Sequence, residues 1–163
     1  MKIKAIVIAF IILLGLVSNV YGFEINMEYI GIIESGTFIC PYGDPMAYNE
    51  NSQATGKYQV TPICLVEFKD KCRWLNGSED RQLYTMLNMY EEELCYNVAS
   101  WYINERIPQM LKIWNLEDTI KARLACYNWG PGNYRKYVAG KKTMPNETKN
   151  YIKKYCDLLK RNN

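Results

Sequence analysis

Residues 30–39 read IGIIESGTFI, and the one acid in that run, Glu34, stands where burial costs most. It follows an apolar stretch and precedes Ser35-Gly36, a pair that reads as a helix end. Helical spacing over residues 26–35 puts Met27, Ile30, Gly31 and Glu34 on one face, so Glu34 points inward from the last turn. Burial disfavours its charged form, and the negative end of the helix dipole does the same. A carboxyl kept protonated near neutral pH can give a proton to a leaving oxygen and later take one back, the work of a general acid and base. The same Glu-Ser-Gly also suits a structural glutamate bonded to backbone or hydroxyl groups, so the rest of the chain has to decide.

Other chemistries lack their residues. The 163-residue chain has no His, which removes every Ser-His or Cys-His arrangement and leaves a zinc site without its commonest ligand. No two of its six cysteines are spaced as CxxC. No cofactor is expected. Tyrosine is abundant, with 14 residues beside 4 Trp and 4 Phe, many next to Asn, Gln or Gly, as in AYNENSQATGKYQ and ACYNWGPGNY. Such rings fill a small core and its rim, or line a sugar-binding groove.

Residues 1–22 read as a secretory signal: Lys2 and Lys4, an apolar run of 13 residues from Ala5 to Val17, then Val20-Tyr21-Gly22 as a cleavage site. That run falls short of the ~20 residues that a spanning helix needs, so no stable membrane span is expected after cleavage. Removing Lys2 and Lys4 from the 20 Lys and Arg leaves 18 against 17 Asp and Glu, no basic footprint for nucleic acid. Residues 23–163 suffice for one domain with a sizeable core. In an oxidising compartment Cys40, Cys64, Cys72, Cys95, Cys126 and Cys156 would be expected to form disulfides, with Cys64 and Cys72 the only short-range pair.

The elements that must position Glu34 are mostly helices. Leu83, Leu87, Tyr90 and Leu94 repeat at helical spacing and continue through Val98, Trp101 and Tyr102; Ile120, Leu124 and Tyr127 form another stripe, and Thr148, Ile152, Tyr155 and Leu159 the last. Between 40 and 62 the period fails and Pro, Gly, Asn and Asp accumulate, which predicts an ordered loop region with a short hairpin around GKYQVT.

Five segments then fall in one order along the chain: ESG at 34–36, ATGKYQVTP at 54–62, Asn97 opening NVASWYI, LACYNWGPGNYRKYV at 124–138 and MPNETKNYI at 144–152. In order and approximate spacing they resemble the soluble lytic transglycosylase family over essentially all of residues 23–163. The resemblance implies a mainly α, lysozyme-like α+β fold, with the loop and hairpin region flanking an active-site groove. It also implies cleavage of the β-1,4 bond between N-acetylmuramic acid and N-acetylglucosamine in peptidoglycan glycan strands, leaving a 1,6-anhydro end. Carried over by position, Glu34 is the catalytic acid and base, and Ser35 supports it. Gly56, Tyr58 and Gln59 fall where the family has Gly-Leu-Met-Gln along the groove, with Lys57-Tyr58 replacing Leu-Met. Tyr127 and Asn128 match a Tyr-Asn pair at the floor, Tyr127 reaching toward Glu34, and Trp129 stands in place of a usual Ala. Glu147 and Tyr151 match the Glu-Thr-x-x-Tyr block, where the acid helps to bind substrate.

In this chemistry one carboxyl suffices, because the substrate's N-acetyl group meets the developing charge and the sugar's own 6-hydroxyl attacks. A hydrolytic muramidase would want a second acid, for which Asp44 and Glu50 in the loop region are candidates. A glycan-binding assembly protein that has lost turnover is a further alternative. Export to the periplasm or cell envelope follows from the expected signal segment, and analogy with the family would place the enzyme with a secretion or conjugation machine, a phage or plasmid module, or general wall turnover.

Overall fold

The computed structural model describes residues 23–162, so the expected signal segment, residues 1–22, lies outside the described residues. Asn26 starts the first helix, its side chain accepting from the Glu28 N–H at 2.9 Å, and α1 (Met27–Ser35) buries Met27, Ile30, Gly31 and Ser35. The residues before it are tied down: the Ile25 N–H donates to Asn104, the Asn26 N–H donates to the Tyr155 hydroxyl, and the Phe23 ring lies 4.2 Å from the Arg123 guanidinium. Such bonds fix the angle at which α1 enters the core.

The loop region follows. Strand β1 (Tyr48–Asn49) pairs antiparallel with β2 (Ala54–Thr55), Tyr48 opposite Thr55, and Thr55 also bridges Val60. The named strands lie earlier than GKYQVT, but a one-bridge hairpin does form around that sequence: Thr55 and Val60 exchange backbone hydrogen bonds at 3.0 Å across a tight turn in which Gly56 and Gln59 are both at positive φ (78° and 51°). A Cβ at Gly56 would stand 2.1 Å from the Met89 carbonyl oxygen, so only glycine fits.

Helix α2 (Pro62–Lys71) opens on Thr61, which accepts from the Cys64 N–H, with Pro62 pre-set for the first turn. Its Phe68 is fully buried and meets Trp74, Tyr84 and Trp101 at ring separations of 4.9–5.4 Å, an aromatic cluster that runs from the core out to the exposed Trp74. The continuous helix expected through Leu83 and Leu87 does not form. Short 3₁₀ turns occupy Glu79–Leu83 and Leu87–Tyr90, and Leu83 and Leu87 are exposed. Side chains compete for the backbone there: Asn88 donates to the Leu83 carbonyl, and Thr85 accepts from the Asn88 N–H.

Helix α3 (Glu92–Trp101) runs into a π turn, Tyr102–Arg106, and then α4 (Ile107–Ile113). Pro108 accounts for the widening, because it has no N–H to give and its ring crowds the carbonyl of the preceding turn. Helix α5 (Ile120–Trp129), capped by Thr119, is buried over Ala122–Cys126 and forms the central post of the fold. Even Arg123 is buried, its guanidinium held by both oxygens of Asp118 at 2.7 Å. Helix α6 (Pro131–Val138) and the amphipathic α7 (Asn146–Arg161) pack on α5, and α7 also packs on α1. The fold is thus mainly helical with one small sheet. No described helix is long and apolar enough to cross a membrane.

The disulfide expectation is not met. All six cysteines are free thiols, with Cys64, Cys72, Cys95 and Cys126 buried. Cys64 and Cys72 stand near opposite ends of α2, eight residues and roughly 12 Å of helix rise apart, beyond the reach of a disulfide. Burial pushes the Cys95 thiol up to about 11 and Cys126 to about 12, so both stay protonated and pack as small apolar groups.

Candidate active site

A groove of about 760 Å³ runs between the β1–β2 loop, α2, the α3–α4 rod and the ends of α5 and α7. Glu34 reaches it from the last turn of α1. Its carboxyl is enclosed while part of the residue stays open to the groove, and its pKa is raised from 4.5 to about 7. Burial is the chief cause, the Tyr151 hydroxyl opposes it, and the charge of Glu147 adds to it. At neutral pH a large share of Glu34 is therefore protonated, as an acid that must donate requires.

Helices α1 and α5 are both fixed to the 56–59 turn, through two of its consecutive carbonyls. The Ser35 hydroxyl donates to the Lys57 carbonyl at 2.8 Å, and the Tyr127 hydroxyl donates to the Tyr58 carbonyl at 2.7 Å. The Gln59 amide donates to the carbonyls of Gly56 and Ala47. Hydroxyls from two helices and the turn's own Gln59 amide thus fix one short turn, which forms a wall beside Glu34. Lys57 is held as well, its ammonium 2.5 Å from the Glu92 carboxylate.

The expected site residues do not all reach the groove. Glu34, Gln59, Tyr127, Asn128 and Glu147 line it together. Tyr151 is buried behind them, and Tyr127 and Tyr151 are both held well above the usual phenol pKa by burial and then by the charge of Glu34. Asn128 accepts from the buried Thr148 hydroxyl at 2.8 Å, which joins the end of α5 to the start of α7. Tyr58, expected to offer a ring to substrate, turns that ring into the core, where it is 4 % exposed and packs edge-on against Tyr96. Its contribution to the site is its carbonyl. Ser35 likewise faces inward and accepts from the Asp44 N–H at 2.9 Å; it holds loop to helix and is no substrate contact. Gly56 is a steric necessity of the turn. Asn97 bonds Tyr84 away from the groove, and Trp129 packs under the Lys142 ammonium.

Asp44 and Glu50 do not line the groove, and the Asp44 carboxylate accepts from the Met46 N–H. The carboxylates that share the groove with Glu34 are Glu147 and Glu67, the latter bound to Arg106. Glu67, Arg106 and Trp114 were missed in the sequence. The signal available was a spacing of four, Tyr102, Arg106, Met110 and Trp114, which all line the groove while Ile103, Ile107 and Leu111 fill the core. No group of three or more His, Cys, Asp or Glu that could hold a metal ion occurs among the described residues.

The arrangement can protonate a leaving oxygen from Glu34, take a proton back, and hold a chain-like ligand along an open groove with amide and hydroxyl donors. Compared with protein-family models, with curated proteins and with solved structures, the chain matches none.

Proposed function

We propose that this protein is a peptidoglycan lytic transglycosylase with Glu34 as its single acid and base. The observation that carries the reading is a carboxyl with a pKa near 7, lying in a groove of about 760 Å³ and attended by Tyr127, Asn128, Glu147 and Tyr151. Those residues come from the segments that resemble the lytic transglycosylase family. The mainly helical fold with a small hairpin beside the groove suits a lysozyme-like architecture.

In this reading Glu34 gives its proton to the glycosidic oxygen as the bond from the anomeric carbon of N-acetylmuramic acid breaks. The substrate's N-acetyl oxygen meets the positive charge that develops. Glu34, now ionised, takes the proton of the muramic acid 6-hydroxyl as that oxygen bonds to the anomeric carbon, and the 1,6-anhydro ring closes. The acid ends the cycle protonated, and no water is consumed. A pKa near 7 serves both halves, since the group must lose and regain one proton at similar cost. The reading also carries export to the periplasm or cell envelope, where the enzyme would open the wall for a secretion or conjugation machine.

Of the second acids that hydrolysis would need, neither Asp44 nor Glu50 lines the groove and Glu67 is engaged by Arg106, which leaves Glu147, assigned in this reading to substrate binding. The test is clearance of purified peptidoglycan by the wild type and by Glu34→Gln. Loss of acid and base assistance should lower the rate on the order of 100-fold or more in a folded variant. Near wild-type clearance by that variant would overturn the assignment.

A further inference from the structure

Arg106 is the only basic side chain lining the groove among the described residues, and the proposed reaction does not use it. Its Nε donates to Glu67 Oε2 at 2.7 Å, and its side chain is 18 % exposed. Its terminal amino groups make no hydrogen bond to the described residues, and neither is sealed from solvent. The free face is the end-on pair of N–H groups that fits a carboxylate with two parallel bonds. The ion pair with Glu67 pins the guanidinium plane from the side and leaves that face open. The π turn ahead of Pro108 carries Arg106 in register with Tyr102, Met110 and Trp114 on the groove wall.

A neutral sugar polymer has no need of such a group. The Asn128 amide and the Gln59 amide oxygen suit hydroxyls and N-acetyl groups, whereas a half-buried guanidinium with a free fork is matched to an anion. We propose, on the strength of the transglycosylase reading, that Arg106 is a specificity residue that binds a carboxylate carried by the glycan. In peptidoglycan that carboxylate has two sources: the lactyl group of N-acetylmuramic acid where the peptide has been removed, and the stem peptide where it remains. Glu67 partly offsets the charge of Arg106, so the gain is discrimination among glycans on the order of tenfold and not tight anion binding.

The test is binding to the full chain carrying Glu34→Gln, so that no ligand is consumed. The ligands are a chito-oligosaccharide, which bears no carboxylate, a peptide-free peptidoglycan strand, and the same strand with its stem peptides. Adding Arg106→Gln should weaken binding of a muramic acid ligand about tenfold and change the chito-oligosaccharide less than twofold. Weakening on the peptide-free strand assigns the lactyl carboxylate, and weakening on the peptide-bearing strand alone assigns the stem. Arg106→Gln leaves Glu67 without its partner, so Arg106→Gln with Glu67→Gln is made beside it to remove the pair together, and it should lose the same discrimination. Equal weakening on all three ligands in both variants, or no change on any, would overturn the proposal. If the Glu34→Gln chain binds none of the three, the glycan reading itself falls, and this inference with it.

Discussion

The Tyr151 hydroxyl faces the carboxyl of Glu34 and, among the described residues, is the one buried side-chain polar atom without a well-formed hydrogen bond. An orphaned hydroxyl inside a protein costs free energy, so its position calls for a cause. Here it is the one influence that lowers the Glu34 pKa, against burial and the charge of Glu147. An ionised Glu34 gains a donor from Tyr151, which supports the half of the cycle in which the acid has become a base.

Replacing the two neighbours should move the acid in opposite directions. Tyr151→Phe removes the lowering influence and should raise the Glu34 pKa; Glu147→Gln removes a repelling charge and should lower it. Carboxyl carbon NMR reads the pKa directly, and the alkaline limb of kcat/KM should follow it. Shifts of the same sign in both variants would contradict this electrostatic picture.

The raised pKa has a stability consequence. The folded protein binds the Glu34 proton up to about pH 7, whereas the unfolded chain releases it near 4.5. Stability therefore falls as pH rises from 4.5 to 7, and the full penalty, on the order of 3 kcal/mol, stands above 7. Glu34→Gln has no such proton to lose. Its denaturation midpoint should exceed the wild type's above pH 7 and converge with it below pH 4.5; parallel curves across that range would contradict the buried, protonated acid.

Gly56 holds the wall of the groove. Its φ of 78° and the 2.1 Å approach of a Cβ to the Met89 carbonyl oxygen mean that Gly56→Ala must move backbone. A loss of about 3 kcal/mol is expected by urea unfolding. A loss below ~1 kcal/mol would show that the turn yields easily.

Asp44→Asn and Glu50→Gln should leave glycan cleavage within a few-fold of wild type, since neither side chain lines the groove. Neutralising a second catalytic carboxylate would instead cost ~3 kcal/mol or more of activation free energy. Assayed on peptidoglycan, such a collapse in either variant would return the hydrolytic mechanism.

The helical stripes and Glu34 were legible because side-chain direction on a helix follows from spacing alone: Met27, Ile30 and Gly31 are buried and Glu34 emerges beside them at the groove. Tyr58 was misread because it sits in a turn, where no period tells whether a ring faces groove or core. Leu83 and Leu87 matched a helical period by coincidence, and local bonds from Asn88 and Thr85 prevailed. Glu67 and Arg106 lie 39 residues apart and meet only through tertiary packing, so neither stood out in the sequence. Ser35 beside Glu34 was visible as a motif, yet its bonds to Lys57 and Asp44 depend on a loop path that no pattern encodes.

The central claim is that Glu34 drives attack by the sugar's own 6-hydroxyl, and mass spectrometry of muropeptides released from purified peptidoglycan tests it most directly. Muropeptides ending in 1,6-anhydro-N-acetylmuramic acid, released by the wild type and not by folded Glu34→Gln, are the predicted result. Reducing ends as the main product would show hydrolysis, and no release by the folded wild type would show that the groove does not cleave this glycan at all.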